Sequence, residues 1–454
     1  MKIESAWRRL QLHPEYSRTV VRLAYPVSLG MLSITLLGVV DTAMLGRLGP
    51  APLAAAGISA VGYFTLIFSL GGIGVGVQTI TSRRYGEGND PACGETLTSG
   101  VMLAIVFGLP FLVANAWFAQ FFAPLLSSDS QVKWLGEIYL RYRLLGAIFF
   151  LLNMVYRGFY NGLGDTKKQL ISAIIVTVVN IALDYLLIFG NLGFPRMGIK
   201  GAAIASTIAT GIGTVYFLIA SLSSDYRDRF TPYRHVWGAV RRTLPILRLS
   251  VPVMAQQFIA NGSFFAFFSI VARIGTLELA ASNVIRSVLG LSIMPAIGLG
   301  TAAATMVGQN LGAARAREAE LFTWEAVKLA SYLMGGIGLL FMVFPREIFA
   351  IYTNDPAVIE LGRIPLLILG ATQALDGAAI VLSQGLQGAG NTRYVMVIEL
   401  LVCGFIYLPI AYFFGLQLHG GIIGAWSGEF IYWFAFALFM AWRFREGSWK
   451  RIRV

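Results

Sequence analysis

The chain has 454 residues, of which 56% are hydrophobic and 13% charged, against about 25% charged in an average soluble domain. Its mean hydropathy of +0.69 leaves no room for a large soluble domain and predicts a polytopic membrane protein. Net charge is +12, but the basic residues fall in loops and ends, which excludes a nucleic-acid partner.

A helix needs about 20 mostly apolar residues to cross a bilayer. The apolar runs predict twelve spans, at roughly 20–46, 56–82, 97–120, 134–160, 169–190, 199–222, 244–272, 283–308, 322–344, 361–386, 394–415 and 421–442. The basic stretch before the first run lacks a short apolar core with a small-residue cleavage site, so the first span is expected to stay attached. Cys93 in a loop and Cys403 in a span make no disulfide framework.

Lys and Arg accumulate in cytoplasmic loops. One face holds Lys2, Arg8, Arg9, Arg18, Arg83, Arg84, Lys167, Lys168, the stretch Arg227 to Arg248, Arg315, Arg317, Arg393 and the tail Arg443 to Arg453. The other holds little beyond Arg47, Lys133, Arg196, Lys200, Arg273 and Arg346. Both termini are therefore expected in the cytoplasm.

The chain repeats itself at a shift of 226 residues, the separation of Pro26 from Pro252. In that register Arg47-Leu-Gly49 meets Arg273-Ile-Gly275, Gly72-Ile-Gly74 meets Gly298-Leu-Gly300, Gly86 meets Gly312, and NGLGDT (161–166) meets QGAGNT (387–392). Later the shift slips to 223, where GIKGA (198–202) meets GIIGA (421–425). Six spans per half is an even number, so both halves enter the membrane alike. The expected fold is all-α, with two six-helix lobes related as parallel repeats by a pseudo-two-fold along the membrane normal. Secondary transporters use this plan, with substrate bound between the halves. The lobes would be 1–222 and 244–454, joined by a polar linker at 223–243.

Two aspartates break the apolar runs, Asp41 in the first span and Asp184 in the fifth. An ionised carboxylate in hydrocarbon costs at least a few kcal/mol, so such residues mark ion or substrate pathways. Both spans run outward and both aspartates precede a closing glycine, Gly46 and Gly190, which puts them at one depth. Thr177, Asn180 and Asp184 share a helical face at i, i+3, i+7. That face can hold a proton or a small hard cation through oxygen. Two close carboxylates in low dielectric resist carrying two charges, which suits one of them to take and release a proton. The repeat puts Phe267 opposite Asp41 and about Ile410 opposite Asp184, so the pair belongs to the first half alone.

Other polar residues are weaker signals. Asp376 in the tenth span is a second-site candidate or a structural hydrogen-bonding group. Gln256, Gln257 and Asn261 in the seventh can line a cavity or bind neighbouring helices. Arg286 either pairs with Asp376 or ends its helix, while Glu137 and Arg141 are spaced to pair with each other. Glu399 and Glu429 read as structural. Tyr139 can face the first-half cavity. Pro26 and Pro252 kink their helices, and Pro26 shares a helix with Asp41. Phe264, Phe265, Phe267 and Phe268, with Tyr63, Phe64 and Phe68, offer cation–π surface or plain packing.

Val40-Asp41-Thr42 before Gly46-Arg47-Leu48-Gly49, the stretch Gly72 to Gly86 leading to RRYGEGN, GLGDT at 162–166 and Asn180-Ile-Ala-Leu-Asp184 resemble the multidrug and toxic compound extrusion (MATE) transporters, and among them the DinF-like branch. The resemblance spans nearly the whole chain. It implies a multi-pass exporter of the prokaryotic inner membrane that expels amphipathic or cationic compounds in exchange for H⁺ or Na⁺. It also implies a first-lobe proton or Na⁺ site at Asp41, Asn180 and Asp184 and a conformational kink at Pro26. Asp376 matches an acid used for Na⁺ in the NorM-like branch. That branch also carries a seventh-span glutamate, where this chain has Gln256-Gln257, which favours H⁺.

The expected function is a cation-coupled, proton-driven antiporter working by alternating access. No cofactor is expected, and membrane lipid and small substrates are the expected partners of a monomeric unit. The alternatives are a Na⁺-coupled exporter and a lipid-linked oligosaccharide flippase, which needs a basic cavity. Intramembrane cations beyond Arg286 and Lys328 are few. An enzyme is not expected, because His13, His235 and His419 all fall in loops or tails.

Overall fold

The computed structural model describes residues 11–126, 129–234 and 236–454. Lys2, Arg8, Arg9 and His235 lie outside the described residues. Those that are described form helices joined by short turns. Among the described residues, ten helical segments are long and apolar enough to cross a membrane, and a bent pair makes an eleventh. The bent pair is the expected fourth span, Ser130–Leu144 and Ala147–Leu163, which meet at 47°. The bend falls at Gly146, where a Cβ would lie 2.9 Å from Thr207 Oγ1.

The second expected span, 56–82, is outside that count because it is divided. It runs as Pro50–Tyr63, a π-helical turn at Phe64–Phe68, and Ile73–Gly86. Gly71 and Gly72 sit at the break, and each Cβ would meet backbone within 3 Å. Small residues here let helices touch through their backbones, the usual substitute for a hydrophobic drive inside lipid. A Cβ on Gly158 would lie 2.2 Å from Gly74 O, and one on Gly338 would lie 2.2 Å from Gly370 O.

Packing groups the chain into two compact units. One comprises Leu29–Met254, the other the residues up to Ser28 together with Ala255–Val454. The two boundaries, 28/29 and 254/255, are again 226 residues apart. They fall inside continuous helices, Pro14–Gly46 and Val236–Ile274, just after Pro26 and Pro252. This partition differs from the lobes drawn at the polar linker, because each of those two helices packs with one unit at its start and with the other at its end.

The duplication is written in the backbone too. Gly164 and Gly390 take φ of 87° and 90°, the left-handed region that glycine enters without cost. Each closes the same turn: Asp165 N donates to Tyr160 O and Asn391 N to Leu386 O, both at 2.9 Å. Gly198 and Gly421, matched at the later shift, have φ of 55° and 59°.

The first helix is tied to its unit at its start by a buried acid. Glu325 Oε1 accepts from His13 N and Ser17 Oγ, both at 2.6 Å, and its Oε2 meets Lys328 Nζ at 2.5 Å. Lys328 is therefore spent on structure. Large apolar side chains such as Val106, Val113 and Phe405 remain exposed, the faces a multi-pass protein presents to acyl chains.

Candidate functional site

Asp41 and Asp184 each stand five residues before the end of their helices, at Gly46 and Phe189. The equal margins set them at one level, and their carboxyl groups face each other within hydrogen-bonding range. Asp184 is 1% exposed and Asn180 2%. Asn180 Nδ2 donates to Ser206 Oγ at 3.0 Å. Thr177 joins one turn away, accepting from Ser33 Oγ at 2.9 Å. Both oxygens of Asp184, Oδ1 of Asp41 and Oδ1 of Asn180 are buried and have no donor. A proton, a cation or a water could satisfy these acceptor oxygens.

The charge beside the pair is Arg143, which acts on both carboxylates. Its guanidinium lies 4.6 Å from the Tyr63 ring centroid and faces the Tyr139 hydroxyl. Tyr139 thus reaches the site through Arg143. The cation–π surface expected at Tyr63 is already occupied by this arginine. Sequence reasoning passed over Arg143 and looked instead to Glu137 and Arg141, which form no ion pair with each other among the described residues. The missed signal was spacing: Tyr139 and Arg143 are an i, i+4 pair on one face of the fourth span. Arg157 is a further half-buried cation in this unit.

Besides Glu325, the other unit holds the buried acids Asp376, Glu399 and Glu429. Asp376 Oδ2 accepts from Gln373 Nε2 at 2.9 Å and Thr372 Oγ1 at 3.3 Å, leaving Oδ1 without a donor. Glu399 accepts from Tyr432 Oη at 2.7 Å, Gln256 Nε2 at 3.2 Å and Cys403 Sγ at 3.3 Å. Gln387 Nε2 in turn donates to Gln256 Oε1 at 2.7 Å. Glu429 accepts from Trp433 Nε1 at 3.1 Å. Gln256 is thus a link in a network, while Gln257 Oε1 is buried without a donor. Asn261 is half-buried five residues beyond Gln256. Arg286 does not pair with Asp376. It is exposed, with Phe268 as its ring neighbour at 6.0 Å. Pro26 is buried within an unbroken helix.

The family profile described as MatE matches residues 26–186 and again 252–413. The chain is 29% identical over 445 residues to "Multidrug resistance protein NorM" of Burkholderia vietnamiensis, covering 95% of each chain. It is 26% identical over 418 residues to "Probable multidrug resistance protein NorM" of Thermotoga maritima, covering 91% of this chain and 89% of the relative. Among solved structures it resembles "Outward-facing conformation of a multidrug resistance MATE family transporter of the MOP superfamily", with TM-score 0.84, 22% identity, and 97% and 98% coverage. A Pyrococcus furiosus transporter of the MOP superfamily gives TM-score 0.83 at 23% identity, over 95% and 97% of the two chains.

Proposed function

Since the chain belongs to the MatE family, whose members are multidrug transporters and not enzymes, we propose that it exports amphipathic or cationic compounds by cation antiport and that Asp41 and Asp184 carry the coupling ion. The carrying observation is the set of four buried acceptor oxygens without donors. An arriving proton or cation removes the repulsion between the facing carboxylates. Arg143 is the cation beside them.

Coupling then follows from differential affinity. The ion must bind one conformation better than the other for its gradient to move substrate. Substrate loads from the cytoplasm, ion binding outside favours its release, and ion release inside resets the cycle. We take Pro26, next to the boundary between the packing units, as the kink that couples the site to that change. The reading places the protein in the prokaryotic inner membrane with both termini cytoplasmic and one chain as the working unit. Asn180 and Asp184 support the DinF-like branch, although the relatives compared above carry NorM names.

We take H⁺ as the coupling ion, since two facing carboxylates suffice for it. Na⁺ is the second reading, supported by the same oxygens with the Asn180 carbonyl as a further ligand. The experiment is efflux of a fluorescent lipophilic cation from proteoliposomes under an imposed ΔpH or an imposed Na⁺ gradient, with Asp41→Asn alongside. Efflux on ΔpH alone, lost in Asp41→Asn, is the expected result. Efflux on Na⁺ alone moves the assignment to the second reading, and none on either gradient overturns both.

A further inference from the structure

One cavity of the Leu29–Met254 unit lies at span ends, and neither Asp41 nor Asp184 lines it. It holds about 500 Å³ and its walls include Leu48, Trp134, Ile138, Arg196 and Lys200. That volume is in the range of small-ligand sites. Leu48 follows the end of the first helix at Gly46, and Lys200 stands in the first turn of the helix Ile199–Leu222. The cavity is therefore at the level where hydrocarbon meets headgroups. Trp134 is 61% exposed at its rim, the position indoles favour at that boundary.

The charges there are unusual for their location. This is the face on which Lys and Arg are scarce, holding little beyond six. Two of those six, Arg196 and Lys200, line the cavity. Arg196 and Lys200 form no ion pair among the described residues, and Lys200 Nζ sits 4.7 Å from the Tyr142 ring centroid. Asp129 is committed to capping, accepting from Gln131 N at 2.8 Å and Val132 N at 2.9 Å. Glu137 pairs with neither cation.

The duplicated half supplies an internal control. GIKGA and GIIGA share the glycine turn, Gly198 and Gly421 having nearly equal φ. Yet Ile423 stands where the first half has Lys200, and His419 stands at Arg196. The turn folds without the cations, so folding does not demand them. Cations over an apolar wall with an interfacial indole match a phosphate carried on an acyl chain.

We propose that this cavity binds an anionic phospholipid, with Arg196 and Lys200 on the phosphate and Leu48, Trp134 and Ile138 against the glycerol and first acyl carbons. The bound lipid joins the ends of the helices that carry Asp41 and Arg143. It needs no part of the efflux reading.

The test is native mass spectrometry of the full-length protein titrated with phosphatidylglycerol, phosphatidylcholine or glycerol 3-phosphate. Phosphatidylglycerol should bind more tightly than phosphatidylcholine. Arg196→Gln with Lys200→Ile should weaken it roughly thirty-fold, the scale of two interfacial cations. Lys200→Ile copies the other half, and Arg196→Lys with Lys200→Arg should retain binding, which separates lost charge from lost fold. Arg273→Ala, on the same face but outside the cavity, should change nothing. Three results overturn the proposal: unchanged affinity in the double variant, an equal loss in Arg273→Ala, or displacement of the lipid by equimolar glycerol 3-phosphate. The last would mark a site for soluble phosphate.

Discussion

The two buried acid groups differ in who satisfies their oxygens. Glu399 receives three protein donors and Glu429 receives Trp433, so the protein itself completes them. Asp184 receives none on either oxygen, and Asp41 lacks one on Oδ1. Buried polar groups left without partners cost free energy, which is what the proposed ion site draws on. A cation stands beside the first group and none pairs with the second among the described residues. Asp376 stands between the two, with donors on Oδ2 and none on Oδ1.

The strongest way to break this contrast is to neutralise one acid from each group. Asp184→Asn should cut gradient-driven efflux by at least about a hundredfold, the scale of a lost proton-transfer group. Glu399→Gln should leave efflux within about twofold but destabilise the protein by about 1–3 kcal/mol, as one of its donors loses an acceptor oxygen. Transport assays and thermal melting of the same preparations check both, and the reverse pattern would refute the contrast.

Arg143→Gln comes next, with an expected loss of about tenfold in turnover, equivalent to about 1.4 kcal/mol. Arg143→Lys should recover part of it. Gly158→Ala and Gly338→Ala probe packing in each unit, since both would drive a Cβ to 2.2 Å from a carbonyl oxygen. Each should lower stability by about 1–3 kcal/mol in a melting experiment, with similar size in the two units. Thr177→Val is expected to matter least. It removes an acceptor from Ser33 at the margin of the site and should change efflux by about twofold or less.

Much of this was legible in the sequence. Hydropathy located the spans, because a bilayer imposes a length on any helix that crosses it. The repeat register foretold matching backbone at Gly164 and Gly390, since glycine is kept where φ must be positive. That Asp41 and Asp184 interrupt apolar helices, and that Asn180 and Asp184 share a helical face, was readable from the apolar runs and from helical spacing. The break in the second span was not, because it depends on how closely Gly71 approaches Met154 and Gly72 approaches Met254, both distant in sequence. Nor was the difference between Glu399 and Asp184. Their donors come from other helices, and a one-dimensional pattern names an acid without naming what surrounds it.

The tie between the start of the first helix and Glu325 bears on how the protein is made. His13 and Glu325 are 312 residues apart. At bacterial-scale synthesis of about 5–20 residues per second, the nascent first helix waits roughly 15–60 s for that partner to leave the ribosome. The segment translated first is among the last to find its native neighbours. A chain cut in the polar linker would leave the later fragment without the residues up to Ser28, and the earlier one would lack the start of Val236–Ile274. Two fragments expressed separately should therefore reach the native state only together, by exchanging these ends.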